Sequence, residues 1–548
     1  MHLTSAPATL KKLFNLDAQK SLLFSAIRLD SHPLVAPIIA TVDDSDPILL
    51  VRQQEQGNIL SSGVPREKIR FYAPWVTIDE APLEGIEAAK SLTELIKELS
   101  EGKPICFSPE IAYAHYLAAE GVIEVAVESP ALEPVDVWEL DKASVEKRFA
   151  AWRRAGVEEA TTLIDGVSHL AGLEEELAAV GADSRFELLQ QIATQHALAA
   201  IYVESPPNFS EITGIAATEG ASVLWDAATE SIFLLLPQGS SKPEHAQSVG
   251  SFSAVSEAVT ALIGEDKAIG VEEEFIGTAR ALSLTEGEIV PIQTELGHWR
   301  DVRDREDLPF QIIAARTSVT IMEDTLAWTH NRLERGEEFT ELDIYDYYLE
   351  QLRKFAQQFT FDVEPYFTNL HSSNRMLFPG PPVDFPINSE TRCIQLDAGV
   401  AVKKDGVVLG TSDMARSLPR TAAGEEAYEY FFKVVREGII GQLRPGVICA
   451  DVHEATLDYL APQLPRMIDI GMLGADTDFN TIYRKRNVGH LMGKQESFAN
   501  ELRPGYKHIL QHGSYGAAEV PWRYNGVAIG TEDLWYIGAE KTYILSQR

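Results

Sequence analysis

The sequence predicts a multidomain α/β protein whose last domain is of α+β type. Three observations carry this. At 548 residues the chain is too long for one ordinary core, and two to four domains are expected. Up to about Arg300, short apolar runs alternate with helical segments, the pattern of α/β layers. Beyond it, two long helices precede a run of strands and turns.

In the first block Val35–Ala40, Ile48–Val51 and Ile105–Phe107 are short apolar runs bounded by polar turns such as Asp43–Pro47, and they read as buried strands. Leu140–Ala179 is helical by period, with Asp141 as its cap. The second block begins near Ser184. Ala199–Val203 and Ser231–Pro237 read as strands, Glu204–Gly214 and Gln238–Gln247 as loops, and Lys267–Val271 leads into a further strand-to-helix unit. The two blocks share an order of elements, which suggests distant repeats. The third block opens with helices over Asp304–Arg335 and Glu341–Gln358. Thr340 caps the second, with Asp343 at its third helical position. Strands and turns follow Arg392, interrupted by helices Gly424–Gln442 and Cys449–Leu464. The expected domains are 1–165, 166–300 and 301–548.

Composition excludes several functions. A formal charge of −35 repels phosphate backbones, so nucleic acid is not an expected partner. The three cysteines, Cys106, Cys393 and Cys449, lie far apart and imply neither a disulfide framework nor a Cys-rich zinc site. No run approaches a membrane-spanning length, and the first residues lack the apolar core of a secretory leader. The expected compartment is the cytoplasm, with no membrane partner.

Phosphate-binding glycine loops, the serine nucleophile elbow and the dinucleotide fingerprint are absent. His453-Glu454 begins like a zinc-binding helix, but Leu457 stands where the second histidine belongs, so the pair reads as ordinary helix surface. What remains is spread over the last part of the chain. Asp397 ends an apolar strand before Ala398-Gly399, Asp413 lies in Ser412-Asp413-Met414-Ala415-Arg416, His490 in Gly489-His490-Leu491-Met492-Gly493, and Glu532 in Gly526–Asp533. Three carboxylates and an imidazole suit Mn, Co, Fe or Zn. The glycines around His490 let a backbone or a metal approach.

The order D-A-G, S-D-x-x-R, G-H-x-x-G and G-x-x-x-x-x-E-D resembles the pita-bread metallopeptidases, the creatinase, prolidase and aminopeptidase P family. Leu502-Arg503-Pro504-Gly505 and the helix pair after Asp304 fit as well. Ile201–Gly214 resembles a strand and turn of that family's N-terminal domain. With a further α/β block in front, the layout is similar to three-domain aminopeptidase P. The resemblance implies a pita-bread domain at 301–548 behind two smaller α/β domains. It also implies divalent-metal ligands at Asp397, Asp413, His490 and Glu532.

The sequence departs from the family at several points. The fifth ligand, a glutamate in an E-P-G-x-Y turn, corresponds to Gln511 in Gln511-His512-Gly513-Ser514-Tyr515. An amide oxygen can coordinate but does not bridge two cations as a carboxylate does, so one well-bound ion is expected rather than two. Aligned on Asn374, family histidines correspond to Pro379, Arg486 and Gln495, and a family arginine to Gly530. Arg486 then remains as an anion-holding group and Glu496 as the proton-handling carboxylate. His371 is expected at the surface.

The implied function is a metal-dependent hydrolase resembling Xaa-Pro aminopeptidase or prolidase, with an altered site and an unusual short-peptide or small-molecule substrate, as a homodimer. Two alternatives stand beside it. One is other metal-assisted chemistry on a small molecule, such as a lyase reaction or C–N hydrolysis. The other is a non-catalytic domain that binds a basic partner, as the pita-bread domain of a histone chaperone does.

Overall fold

The computed structural model describes the chain apart from residues 6–35, 43–45, 53–58, 60–63, 73–89, 131–132, 182, 302, 374–379, 472, 474–486, 495–500 and 525–526, and the side chains of 301, 304 and 520–528. Its strands form two small α/β sheets and one larger two-sheet domain.

Among the described residues, the first sheet contains β1 (His2–Thr4), β2 (Ile38–Thr41), β3 (Ile48–Arg52), β4 (Ile69–Tyr72), β5 (Ile105–Phe107) and β6 (Val125–Val127), in the order β4-β3-β2-β1-β5-β6. The expected strand at Val35–Ala40 appears as β2, and its first residue lies outside the described ones. The second sheet contains β7 (Val135–Leu140), β8 (Ala200–Val203), β9 (Ser222–Asp226), β10 (Ser231–Pro237), β11 (Ala246–Phe252), β12 (Ile269–Val271) and β13 (Ile289–Pro291), in the order β11-β7-β10-β9-β8-β12-β13.

The two sheets repeat one pattern. β1 pairs antiparallel with β2 and parallel with β5, and β5 parallel with β6. β8 likewise pairs antiparallel with β9 and parallel with β12, and β12 parallel with β13. The shared order of elements in the sequence therefore reflects a shared topology.

Sheet membership divides these domains between Val127 and Val135, ahead of the expected 165. β7 pairs with β10 and β11 of the second sheet. The following helix, Lys142–Ile164, is capped by Asp141, whose Oδ2 accepts from Ser144 N at 3.1 Å. Its buried Val145, Phe149 and Trp152 join the core of the second and third domains. Glu204–Gly214, expected as a loop, holds the helix Pro206–Thr213. Ser205 caps its N-terminus, proline occupies its first turn and Gly214 closes it at φ +64°, so the local punctuation was helical throughout.

The third domain opens with the helices Asp304–Glu334 and Glu341–Ala356. Thr340 and Asp343 form the expected capping box. Helix Lys142–Ile164 approaches the first closely. A Cβ on Gly156 would lie 2.7 Å from Phe310.

Behind the helices lie two antiparallel sheets. After the short β14 (Phe339–Thr340), one has β15 (Asp362–Ser372), then, past β16 (Pro386–Ile387), β17 (Cys393–Lys404), β18 (Val407–Thr411) and β19 (Met414–Pro419), with β17 between β15 and both β18 and β19. The other has β20 (Gly489–Leu491), β21 (Tyr515–Tyr524), β22 (Val527–Ile537) and β23 (Thr542–Ile544) in sequential order. The helices Ala422–Lys433 and Cys449–Leu460 contribute Ala427, Phe431, Val452 and Leu457 to a core with Trp535 and Ile537 of β22. Among the described residues, no helix is long and apolar enough to cross a membrane.

Candidate metal centre

β17 carries Asp397 between Asn369 of β15 and Ala415 of β19. Asn369 Nδ2 donates to Asp397 Oδ2 at 3.1 Å, which orients the carboxylate. Two residues on, Gly399 lets the β18–β19 turn cross over β17. A Cβ there would stand 2.0 Å from Ser412 O. Ser412 Oγ fixes that turn by accepting from Val400 N at 2.9 Å and bonding Ser318 Oγ at 2.7 Å. Asp413, the next residue, is thereby held over the sheet.

His490 is the middle residue of β20. The glycines around it serve backbone approach. Gly489 has φ +138°, and a Cβ on it would lie 2.2 Å from Ala517 O. A Cβ on Gly516 would lie 2.3 Å from His490 O. Glu532 comes from β22, which is laced to β19 by side chains. Arg416 Nη1 donates to Glu532 O at 2.6 Å, and Nη2 to Asp533 Oδ1 at 2.6 Å and Ser546 O at 2.9 Å. Ser417 Oγ donates to Gly530 O and accepts from Gly530 N. The S-D-x-x-R motif thus both supplies Asp413 and ties down the strand that brings Glu532 to it.

These elements bring three side chains together. Asp413, His490 and Glu532 are buried, and one ligand atom from each lies within 4.8 Å of the others. His490 Nε2 is 3.7 Å from both Asp413 Oδ2 and Glu532 Oε1. Donors each ~2.0–2.2 Å from one ion stand roughly 3–4 Å apart, so the spacing fits a divalent cation. The tautomer fits as well. His490 Nδ1 lies 3.3 Å from Leu491 O, and a carbonyl can only accept, so the proton sits on Nδ1 and the Nε2 lone pair faces the carboxylates.

Residues 312–539 match the model of metallopeptidase family M24. Over those residues the C-terminal domain is similar to an M24 metallopeptidase domain. Three solved structures show the same fold. An X-prolyl aminopeptidase from Caenorhabditis elegans, described as a cytosolic enzyme with a di-nuclear active site, aligns over 91% of this chain and 78% of its own at 13% identity and TM-score 0.58. Dipeptidase PepE from Mycobacterium ulcerans aligns over 66% and 95% at 16% identity and TM-score 0.51. The N-terminal domain of the FACT complex subunit SPT16 from Cicer arietinum aligns over 66% and 96% at 14% identity and TM-score 0.51. At these identities the likeness carries the fold alone. No curated protein matches the sequence.

Other expected site residues of the M24 domain fall elsewhere. Asp397 sits on the neighbouring strand but is not one of the close trio. Gln511 is exposed, and its Nε2 donates to Ile509 O at 3.2 Å instead of meeting the trio. His512 Nε2 lies 2.7 Å from Glu176 of the second domain. His371, expected at the surface, is buried in β15 and accepts from Gly380 N at 3.3 Å. Asn374, Pro379, Arg486, Gln495 and Glu496 lie outside the described residues.

Sequence reasoning missed how the second domain steadies the M24 site. Lys494, directly after G-H-x-x-G, is buried, with Nζ 2.6 Å from Glu211 Oε2 and 3.0 Å from Asp307 Oδ2. Glu211 also pairs with Arg303 and with Arg185. Burial alone would raise the Glu211 carboxyl, but Arg303, Lys494 and Arg185 hold it well below the carboxylate range. The signal was present in the sequence as a lysine directly following an apolar, glycine-bounded segment.

Proposed function

We propose that this protein is a metal-dependent hydrolase acting on an amide or other C–N bond of a short peptide or small molecule. The observation that carries this is the buried trio Asp413, His490 and Glu532. Two anions and an oriented imidazole are a costly group to bury unless a cation is bound there. A divalent cation, when bound, supplies Lewis-acid catalysis. Asp413, Glu532 and His490 Nε2 would hold it. Asn369 and Arg416 would fix the positions of Asp397 and Glu532. Glu496 is assigned the proton-handling role and Arg486 that of holding an anionic group, both on the sequence pattern.

The loss of three family histidines supports a substrate other than an ordinary Xaa-Pro peptide. Removing one charge-stabilising donor costs roughly 10²–10³ in rate. A non-catalytic reading is favoured by one observation, the formal charge of −35, which suits a basic partner.

The test is metal analysis of the full-length protein after dialysis with Mn²⁺ or Co²⁺, then hydrolysis of a panel of proline and non-proline dipeptides, tripeptides and small amides. One retained ion, lost in His490→Ala, with weak Xaa-Pro turnover is the expected result. No retained ion overturns the hydrolase reading. Xaa-Pro turnover of ~1–10³ per second overturns the altered specificity.

A further inference from the structure

The helix Lys142–Ile164 buries one stripe, Val145, Phe149 and Trp152, in the core. A neighbouring stripe stays open. With residues 177–183 as the opposite wall it encloses a cleft of about 860 Å³, a volume within the ~300–1,000 Å³ of small-molecule sites. Ala150, Val157, Leu177 and Val180 give the cleft an apolar lining. Its charged groups are the acids Glu146, Glu158 and Asp183 and the bases Lys147, Arg153 and Arg154. The lining is therefore neutral in a chain of formal charge −35.

Arg153 is only 7% exposed, yet its guanidinium is poorly matched. Nη2 reaches Asp183 Oδ2 and Glu306 Oε2 at 3.4 Å each, and Nε has no hydrogen-bond partner among the described residues. Both acids are committed elsewhere. Asp183 Oδ1 accepts from Arg185 N at 3.0 Å and from Arg185 Nε at 2.9 Å. Glu306 Oε1 accepts from Ser184 N at 3.0 Å and from Ser184 Oγ at 2.5 Å. Burial alone would raise the Asp183 carboxyl, but Arg185 beside it holds it at about 2. A buried guanidinium short of acceptors is costly, and a ligand carboxylate is the group that fits its planar fork.

A simple anion would approach against the field of the whole acidic chain, whereas a molecule carrying both charges would not. Glu146 lies two helical turns before Arg153, ~10 Å along the axis at 1.5 Å per residue. That is the span of about three extended residues. We propose that this cleft binds a short zwitterionic peptide, its terminal carboxylate on Arg153 and Arg154, its ammonium on Glu146 and its side chains against Ala150, Val157, Leu177 and Val180. The proposal stands apart from the metal centre, because Asp413, His490 and Glu532 do not line the cleft.

The experiment uses the full-length protein in EDTA, which prevents metal-dependent hydrolysis of the probe. Trialanine, N-acetyl-trialanine and trialanine amide are titrated calorimetrically. Trialanine should bind saturably, and loss of either terminal charge should weaken it roughly tenfold or more, as for a charge-assisted hydrogen bond. Arg153→Gln should weaken trialanine by a similar factor, with its Tm reporting that it folds. Ala150→Trp leaves every charge and the buried stripe in place, fills the cleft from an exposed position and should abolish binding. Absence of saturable trialanine binding overturns the proposal. So does equal affinity for the acetylated or amidated peptide, and so does undiminished binding by Ala150→Trp.

Discussion

Gly399→Ala should cost the protein both stability and its ion. Gly399 is the glycine of the D-A-G motif, and a Cβ built on it lies 2.0 Å from Ser412 O and 2.9 Å from a ring carbon of Phe367. Restoring an ordinary contact of ~3.4 Å needs a shift of ~1.4 Å, and the nearer obstacle is backbone, not a side chain that can rotate aside. The moving element is the β18–β19 turn. Ser412 there is buried and bonded to Val400 and Ser318, and Asp413 is the next residue. Overpacking of this kind costs about 1–3 kcal/mol. Metal sites tolerate only ~0.2 Å in ligand distance, so displacing Asp413 by several times that should weaken binding at least tenfold. Urea unfolding and Mn²⁺ titration measure the two effects. Gly297→Ala is the control, since a Cβ in the helix Gln293–Asp301 meets nothing within 4 Å and should be neutral or stabilising by about 0.4–1 kcal/mol. Equal stability and equal Mn²⁺ affinity in Gly399→Ala would refute the claim that this glycine sets the position of Asp413.

Arg416→Met should destabilise by about 1.5–3 kcal/mol, because it removes one of the two arginines paired with the fully buried Asp533 carboxylate and leaves Arg436 as the other; urea midpoints check this, and Arg416→Lys should recover only part. Lys494→Met should cost a similar amount through Glu211 and Asp307, and the same titrations read it. Burial pushes the Glu273 carboxyl up from 4.5 to about 7. The folded state therefore holds a proton that the unfolded chain releases, so stability from this group falls as pH rises from about 4.5 to about 7. Glu273→Gln should flatten the Tm profile in that window, and an unchanged slope would count against the shift.

The sequence was legible where local chemistry decided the outcome. Thr340 with Asp343 announced a helix start, apolar runs announced β2, β3, β5, β8 and β10, and the motif order placed Asp413, His490 and Glu532 in one domain. It was misleading where tertiary contacts decided. Glu204–Gly214 reads as a loop, yet Ser205 and Gly214 cap the helix Pro206–Thr213. β7 and the helix after Asp141 were assigned to the first domain because only strand pairing shows that they belong to the second. Gln511 was placed at the centre by alignment, but turn geometry points it outward.

The ion network around Glu211 bears on where this polypeptide can be divided. Cutting before Asp304 would leave Lys494 and Asp307 in the C-terminal piece without Glu211 and Arg303, and would remove Glu176 from His512. Those groups are matched across the seam, acid against base, so each half alone would present unneutralised charge on a surface shaped to be dry. The seam is thus part of one cooperative unit: a gene fragment encoding only the last 245 residues would yield a chain that must first repair its own interior before it could hold a metal.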